Sequence, residues 1–246
     1  MSAVGVIPAR WASTRFPGKI LADIGGKPML QHVWEKAGRA VELDDVIVAC
    51  DEQHVYDAAR AFGANAVMTR KDHPSGSDRV AEAIADRPVD IVVNIQGDEP
   101  FIDPLLIDAL VIALQKDPSS AMATVIKPFA KKEDFLNPNM VKVVIDQNKN
   151  ALYFSRAPVP YHRDGGPMDY SRYFRHLGIY AYRREFLLSF CTWSKSFLEQ
   201  EECLEQLRVL EAGHRIKTVE TDIEAIGVDT PEDLAKAKKH YENTNN

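Results

Sequence analysis

A cluster of cations follows the first apolar run of the chain. In Ile7-Pro8-Ala9-Arg10-Trp11-Ala12-Ser13-Thr14-Arg15-Phe16-Pro17-Gly18-Lys19, the side chains of Arg10, Arg15 and Lys19 stand with no acid anywhere between Ala3 and Ala22. A guanidinium meets phosphate oxygens as a planar fork, and an ammonium meets them as a point charge. Such a set can neutralise a polyphosphate so that a nucleophile can approach phosphorus. Ser13, Thr14 and the backbone near Gly18 add hydrogen-bond donors. The competing reading is a solvated basic loop. The position after the first strand and the lack of acids favour an anion site. The order of a Walker loop is absent, and so is the G-x-G-x-x-G dinucleotide fingerprint.

Two acids could complete such a site. Gln96-Gly97-Asp98-Glu99-Pro100 follows a continuous apolar strand, and Ile226-Gly227-Val228-Asp229-Thr230-Pro231 precedes the last helix. Thr230 reads as an N-cap with Pro231 at the first helical position. Oxygen ligands from two separate segments suit Mg²⁺, which keeps waters and phosphate oxygens in its shell. Taken singly, Asp229 reads better as a helix-dipole acid and Asp98 as a turn residue. Glu99 and Glu232 read as acids that face solvent or cap structure.

Further segments are polar without being diagnostic. His73-Pro74-Ser75-Gly76-Ser77-Asp78-Arg79 holds Ser77 as an expected N-cap, and a Ser-Gly turn that lets backbone approach a ligand. Arg156 closes a predicted strand at a Pro-stiffened loop. His176 and Tyr180 share a strand face by their even spacing, and Glu205 and Gln206 form a polar pair on a helix. His176 alone could be a satisfied structural histidine, and Glu205 a solvated helix acid.

Together these stretches carry a resemblance. I-P-A-R-x-x-S-T-R-x-P-G-K at 7–19 resembles the signature of the 3-deoxy-manno-octulosonate cytidylyltransferases, or CMP-Kdo synthetases. The H-x-S-G-x-D-R, Q-G-D-E-P, S-R-x-P-x-P, H-x-G-x-Y-x-Y-R, L-E-Q-L-R and V-D-T-P-E-D-L segments are similar to that family's as well, so the match runs along nearly the whole chain. Ser77 stands where the family usually has Thr. The resemblance implies transfer of CMP from CTP to the sugar acid Kdo, with pyrophosphate as product. It implies Mg²⁺ on Asp98 and Asp229, with Lys19, Arg10 and Arg15 carrying triphosphate charge. It places Ala9, Ser13, Ser75, Gly76, Arg79 and Gly97 beside the nucleotide, and Gln96, Arg156, His176, Tyr180, Glu205 and Gln206 beside Kdo. Rival readings are an acceptor such as sialic acid or 8-amino-Kdo, a nucleotide-binding module without catalysis, and a glycosyltransferase, for which a D-x-D pair would be expected.

The elements that must position these residues alternate. Strands are predicted at 3–8, 45–50, 66–69 and 91–96, and helices at 29–41, 52–62, 77–85 and 104–115. Strands without polar alternation are buried on both faces, which predicts a doubly wound, mostly parallel α/β sheet, and the resemblance implies that it is of Rossmann-like nucleotidyltransferase type. Strands at 142–146, 151–155 and 177–182 flank a Pro-, Gly- and Tyr-rich loop at 157–173. They predict an inserted antiparallel subdomain at about 127–197 within a single domain of 246 residues, for sugar binding or dimerisation. A helix at 198–212, a strand at 215–220, a helix from Pro231 and a disordered tail at 242–246 complete the reading.

Composition narrows the classes. A formal charge of −6 argues against nucleic acid or an anionic membrane as partner of the whole surface. No run approaches the roughly 20 apolar residues of a membrane helix. The first residues lack a basic region before the apolar strand, and three scattered cysteines fit neither a disulfide framework nor a zinc site. A reduced, cytoplasmic homodimer is the expectation.

Overall fold

The expected alternation of strands and helices appears in the computed structural model, which describes residues 1–12, 16–163, 166–224 and 226–245. In chain order the elements begin with β1 (Ala3–Ala9), a 3₁₀ turn at Lys19–Leu21, β2 (Asp23–Ile24), β3 (Lys27–Pro28), α1 (Met29–Ala37), β4 (Asp45–Cys50) and α2 (Gln53–Ala61). Next come β5 (Asn65–Met68), α3 (Gly76–Ile84), β6 (Ile91–Asn94), α4 (Pro104–Lys116), β7 (Met122–Pro128), α5 (Lys132–Leu136), β8 (Lys142–Ile145) and β9 (Ala151–Ser155). The chain ends with β10 (Phe174–Arg183), α6 (Arg184–Phe190), α7 (Phe197–Glu202), α8 (Gln206–Glu211), β11 (Ile216–Glu220) and α9 (Pro231–Asn245). Two compact units arise, Met1–Val111 with Glu224–Asn246, and Ile112–Ile223.

In the first unit, β1 lies between β6 and β4, β5 pairs with β4, and these three pairs are parallel, while β2 and β3 form a short antiparallel pair. Ile7, Ile47, Val48, Val92 and Val93 have no exposed surface, as strands covered on both faces require. Parallel pairing sends the carboxyl ends of β1, β4 and β6 to one edge, where the chain continues as Arg10, Asp51 and Ile95. The cluster of Ile24, Met29, Val228 and Ala237 fastens α9, with Phe101, Leu234 and Tyr241 packed against it. That packing returns residue 229 to the unit from far along the chain.

In the second unit, β11 runs parallel to β7 while β10 is antiparallel to β7 and β8, and β8 is antiparallel to β9. The insertion expected at about 127–197 falls within this unit. The helix expected at 198–212 is two helices, because Cys203 between them takes a left-handed conformation, φ 51°. The predicted tail is not a coil: α9 continues to Asn245. Among the described residues no helix is long and apolar enough to cross a membrane, and no disulfide joins the three cysteines.

Candidate active site

Lys19 is the centre of the charged edge. The 3₁₀ turn that carries it starts from Gly18, whose φ of 72° favours glycine. Its Nζ lies 2.7 Å from Asp98 Oδ2, 2.9 Å from Asp229 Oδ1 and 3.1 Å from Val228 O. Burial works against the ammonium, but Asp98 and Asp229 outweigh it and hold the Lys19 pKa above its ordinary value. The two acids are joined through the backbone as well, since Val228 N–H donates to Asp98 O at 2.9 Å. Reciprocal capping between Thr230 and Asp233 starts α9 beside Asp229, as the sequence predicts.

Three oxygens thus surround one cationic nitrogen. This donor set fits a hard divalent cation that completes its shell with water and phosphate oxygens, once Lys19 turns outward. Among the described residues no group of three or more His, Cys, Asp or Glu side chains could hold a metal, so any ion here relies on these two carboxylates. Glu99 is expected from the sequence to face solvent or cap structure. It is half-buried, and burial followed by the charge of Asp98 pushes its carboxyl up to about 7.

A cleft of about 390 Å³ brings together Arg10, Lys19, Gly76, Gln96, Gly97, Asp98 and Asp229. Gly97 is required by close approach: a Cβ there would stand 3.2 Å from Pro8 O and 2.7 Å from Ile20 Cδ1. Arg10 is braced by donating to His73 O at 2.9 Å. Ala9, the last residue of β1, has no exposed surface and does not line the cleft. Ser13 and Arg15 lie outside the described residues. The N-cap of α3 is Ser75, not Ser77, because Ser75 Oγ accepts Asp78 N–H at 3.2 Å.

Arg79 does not line the cleft. It has no exposed surface and is held by Thr69 Oγ1 at 2.6 Å and Asp51 Oδ2 at 3.3 Å. Asp51 itself escapes the sequence reading. Its signal was its place, one residue past a buried strand, as Arg10 is past β1.

The remaining candidates gather in the second unit. Thr124 Oγ1 donates to Ile179 O at 2.9 Å, where β10 bulges, and meets His176 Nε2 at 2.9 Å. With its proton so used, the hydroxyl accepts from His176, which assigns the neutral ring as the Nε2–H tautomer. Although His176 keeps some exposed surface, loss of solvent around its nitrogens pushes its pKa down to about 3. Its ring lies 5.3 Å from that of Tyr180, whose hydroxyl donates to Gln206 Oε1 at 3.3 Å. Burial, then Glu205, raises the Tyr180 pKa, keeping the phenol protonated. Gln206 is buried, and its Nε2 finds no partner among the described residues. Glu205 accepts from Arg208 at 3.2 Å. Arg156 is fixed differently: Nε donates to Glu202 O at 2.8 Å and Nη1 to Pro138 O at 3.2 Å. Its carbonyl is one of three that surround the buried Lys142 ammonium, at 2.6–3.0 Å.

The chain matches a family model described as Cytidylyltransferase over residues 4–216. A 3-deoxy-manno-octulosonate cytidylyltransferase of Solibacter usitatus is 52% identical over 97% of this chain and 94% of its own length. One from Pelobacter propionicus is 49% identical over 98% of each chain. A solved structure of CMP:2-keto-3-deoxy-manno-octonic acid synthetase complexed with CTP superimposes with a TM-score of 0.94 at 44% identity, covering 99% of this chain and all of that one. This likeness gives the chain the mostly parallel α/β fold of the nucleotidyltransferases. With cations and carboxylates gathered at the carboxyl edge of a parallel sheet, the chain belongs to the cytidylyltransferase family, among the 3-deoxy-manno-octulosonate cytidylyltransferases.

Proposed function

We propose that the protein transfers CMP from CTP to 3-deoxy-manno-octulosonate and releases pyrophosphate, with Mg²⁺ as its metal. The observation that carries the reading is the meeting of Lys19 with Asp98 and Asp229 in a cleft that also holds Arg10. The anomeric hydroxyl oxygen of the sugar acid forms a bond to the α-phosphorus, the bond to the β-phosphate oxygen breaks, and the hydroxyl proton is lost. Arg10, Lys19 and, in the same loop, Arg15 bind the triphosphate and follow its charge into the transition state. Gly97 and the turn at Ser75 and Gly76 border the nucleotide. Asp98 and Asp229 would hold Mg²⁺, which when bound supplies Lewis-acid neutralisation of phosphate oxygens.

In the second unit, Gln206 offers a buried donor without a partner among the described residues, and Tyr180 a protonated phenol. Both suit the hydroxyl groups of a sugar. His176 is neutral and hydrogen-bonds rather than carrying charge. Arg156 is the candidate for the sugar carboxylate, with Glu205 as a further polar contact, and Gln96 is a polar group of the first unit's cleft.

The same reading places the enzyme in the cytoplasm, as a two-fold homodimer that activates Kdo for lipopolysaccharide synthesis. Three cysteines with no disulfide among them and the exposure of Tyr161 and Phe197 support the compartment and the assembly respectively. The test is pyrophosphate release across CTP, UTP and ATP with Kdo, 8-amino-Kdo and sialic acid, with and without chelator. Turnover confined to CTP and Kdo, stopped by chelator, is the expected result. Equal turnover with sialic acid, or without any acceptor, refutes the assignment, and light scattering at a monomer mass refutes the dimer.

A further inference from the structure

The loop that carries Arg10 and Lys19 is also tied down from behind the cleft. Asp51 leaves β4 almost wholly buried, with Oδ1 accepting the Trp11 backbone N–H at 2.9 Å and Oδ2 facing Arg79 Nη2 at 3.3 Å. Arg79 is locked in turn by Thr69, whose hydroxyl donates to Cys50 O at 2.9 Å. Trp11 is fastened on its other side, where its carbonyl accepts Gly18 N–H at 3.2 Å. Its indole stands edge-on to His54, with ring centroids 4.2 Å apart. It also covers Gly18 so closely that a Cβ there would come within 2.7 Å of the ring. Gly18 is the N-cap of the turn that begins at Lys19. Contacts therefore run unbroken from Arg79 through Asp51, Trp11 and Gly18 to Lys19.

A buried ion pair is a poor source of stability, because desolvation offsets most of its attraction. It is a good mount, because a carboxylate held on one oxygen can present the other at a fixed place. We propose that Asp51, held by Arg79, is a positioning residue for CMP transfer, acting through Trp11 to keep both ends of the cation-bearing loop in register with Asp98 and Asp229. The proposal rests on the reading that this loop receives the triphosphate of CTP. It gives Arg79, a residue with no exposed surface, a part in nucleotide binding that needs no contact with the nucleotide.

The test changes the mount and the clamp separately in the full chain. Asp51→Leu combined with Arg79→Met removes both charges at once, a change that buried pairs commonly tolerate, and deletes the acceptor of Trp11 N–H. This variant should keep its thermal midpoint, raise the Kd and KM for CTP about 10-fold or more, and leave KM for the sugar acid within about 2-fold. Trp11→Ala, at a partly exposed site, should reproduce that split, and Trp11→Phe should restore most of the loss. A folded double variant that binds CTP like the wild type overturns the proposal, as does a folded Trp11→Ala that does so. If the double variant does not fold, the two Trp11 variants decide. Failure of the underlying reading would show instead as wild-type protein that does not bind CTP. The positioning claim then stands or falls on amide exchange at Trp11 and Lys19, which should quicken together in the double variant.

Discussion

Replacing Lys19 by Met should tighten binding of a divalent cation while it slows turnover. The substitution keeps most of the apolar stem and removes the ammonium that sits 2.7 Å from Asp98 and 2.9 Å from Asp229. Opposite unit charges about 4 Å apart gain about 4 kcal/mol at an effective dielectric of 20 and about 1 kcal/mol in water. The two aspartate side chains are 31% and 46% exposed, which places both pairs towards the watery limit. At about 1 kcal/mol for each pair, the ammonium guards the carboxylates against a competing cation by about 2 kcal/mol, or roughly 30-fold in a dissociation constant. Calorimetry with Mn²⁺ on the nucleotide-free protein reads this directly, and Lys19→Met should bind Mn²⁺ between about 10- and 100-fold more tightly than the wild type. Asp98→Asn should weaken Mn²⁺ binding in both backgrounds. In turnover the sign reverses, since the same variant lacks the charge that meets the triphosphate, and kcat should fall more than CTP affinity. Mn²⁺ binding that is unchanged or weaker in Lys19→Met would refute the competition. The lysine would then be holding the carboxylates together rather than occupying the place of an ion.

Asp98→Asn and Asp229→Asn should each lower kcat by about 10²–10³ or more with circular dichroism unchanged; near-full activity of Asp229→Asn at low Mg²⁺ would return that residue to a helix-dipole role. Gly97→Ala should weaken CTP binding and lower the thermal midpoint, because its Cβ meets Pro8 O at 3.2 Å and backbone cannot move aside. Arg156→Lys should raise KM for the sugar acid while CTP binding by calorimetry stays near wild type, and loss of CTP affinity instead would move Arg156 to the nucleotide side. His176 has a folded pKa of about 3 against 6.5 for the free group, so between these values the unfolded chain binds the extra proton. Its contribution to stability is intact above the free value and is lost as pH falls through that window, by at most about 1.4 kcal/mol per pH unit. Urea midpoints at pH 7 and pH 5 should therefore differ more for the wild type than for His176→Gln, and equal differences would refute the neutral-ring assignment.

The parts of the fold legible in the sequence are those where burial leaves a mark. Strands β1, β4 and β6 are covered on both faces and appear as unbroken apolar runs, and the acids and cations that follow them fall at one edge because parallel strands share a direction. Thr230 with Pro231 marks the start of α9 through capping chemistry, which is local. Ser75 and Ser77 show the limit of the same logic. Both are hydroxyls at a helix start, and choosing between them needs the φ of each, which depends on where the preceding loop arrives. Likewise the single helix expected at 198–212 breaks at Cys203, where nothing in the residue type asks for a left-handed conformation. The bend there brings Glu202 against the end of β9, with its carboxylate accepting Ser155 Oγ–H at 2.6 Å and Arg156 N–H at 2.8 Å. Tertiary bonds of this kind, rather than propensity, set the break.

Arg79 makes the same point about function. Its sequence neighbourhood, beside a Ser-Gly turn, marks it as a nucleotide contact, yet its side chain turns away from the cleft into a pocket closed by Asp51 and Thr69. Charge alone could not distinguish the two roles, because a guanidinium serves a phosphate and a buried carboxylate with the same fork. What distinguishes them is whether an acid waits at the neighbouring strand end. Asp51 does, one residue past β4, while no acid follows β1 before Ala22. Arg10, one residue past β1, lines the cleft where a phosphate can reach it, while the arginine of α3 is spent on the architecture that holds that loop. Of two arginines with the same charge, the one set against the buried Asp51 carboxylate is a support, and the one that lines the cleft is left to a ligand.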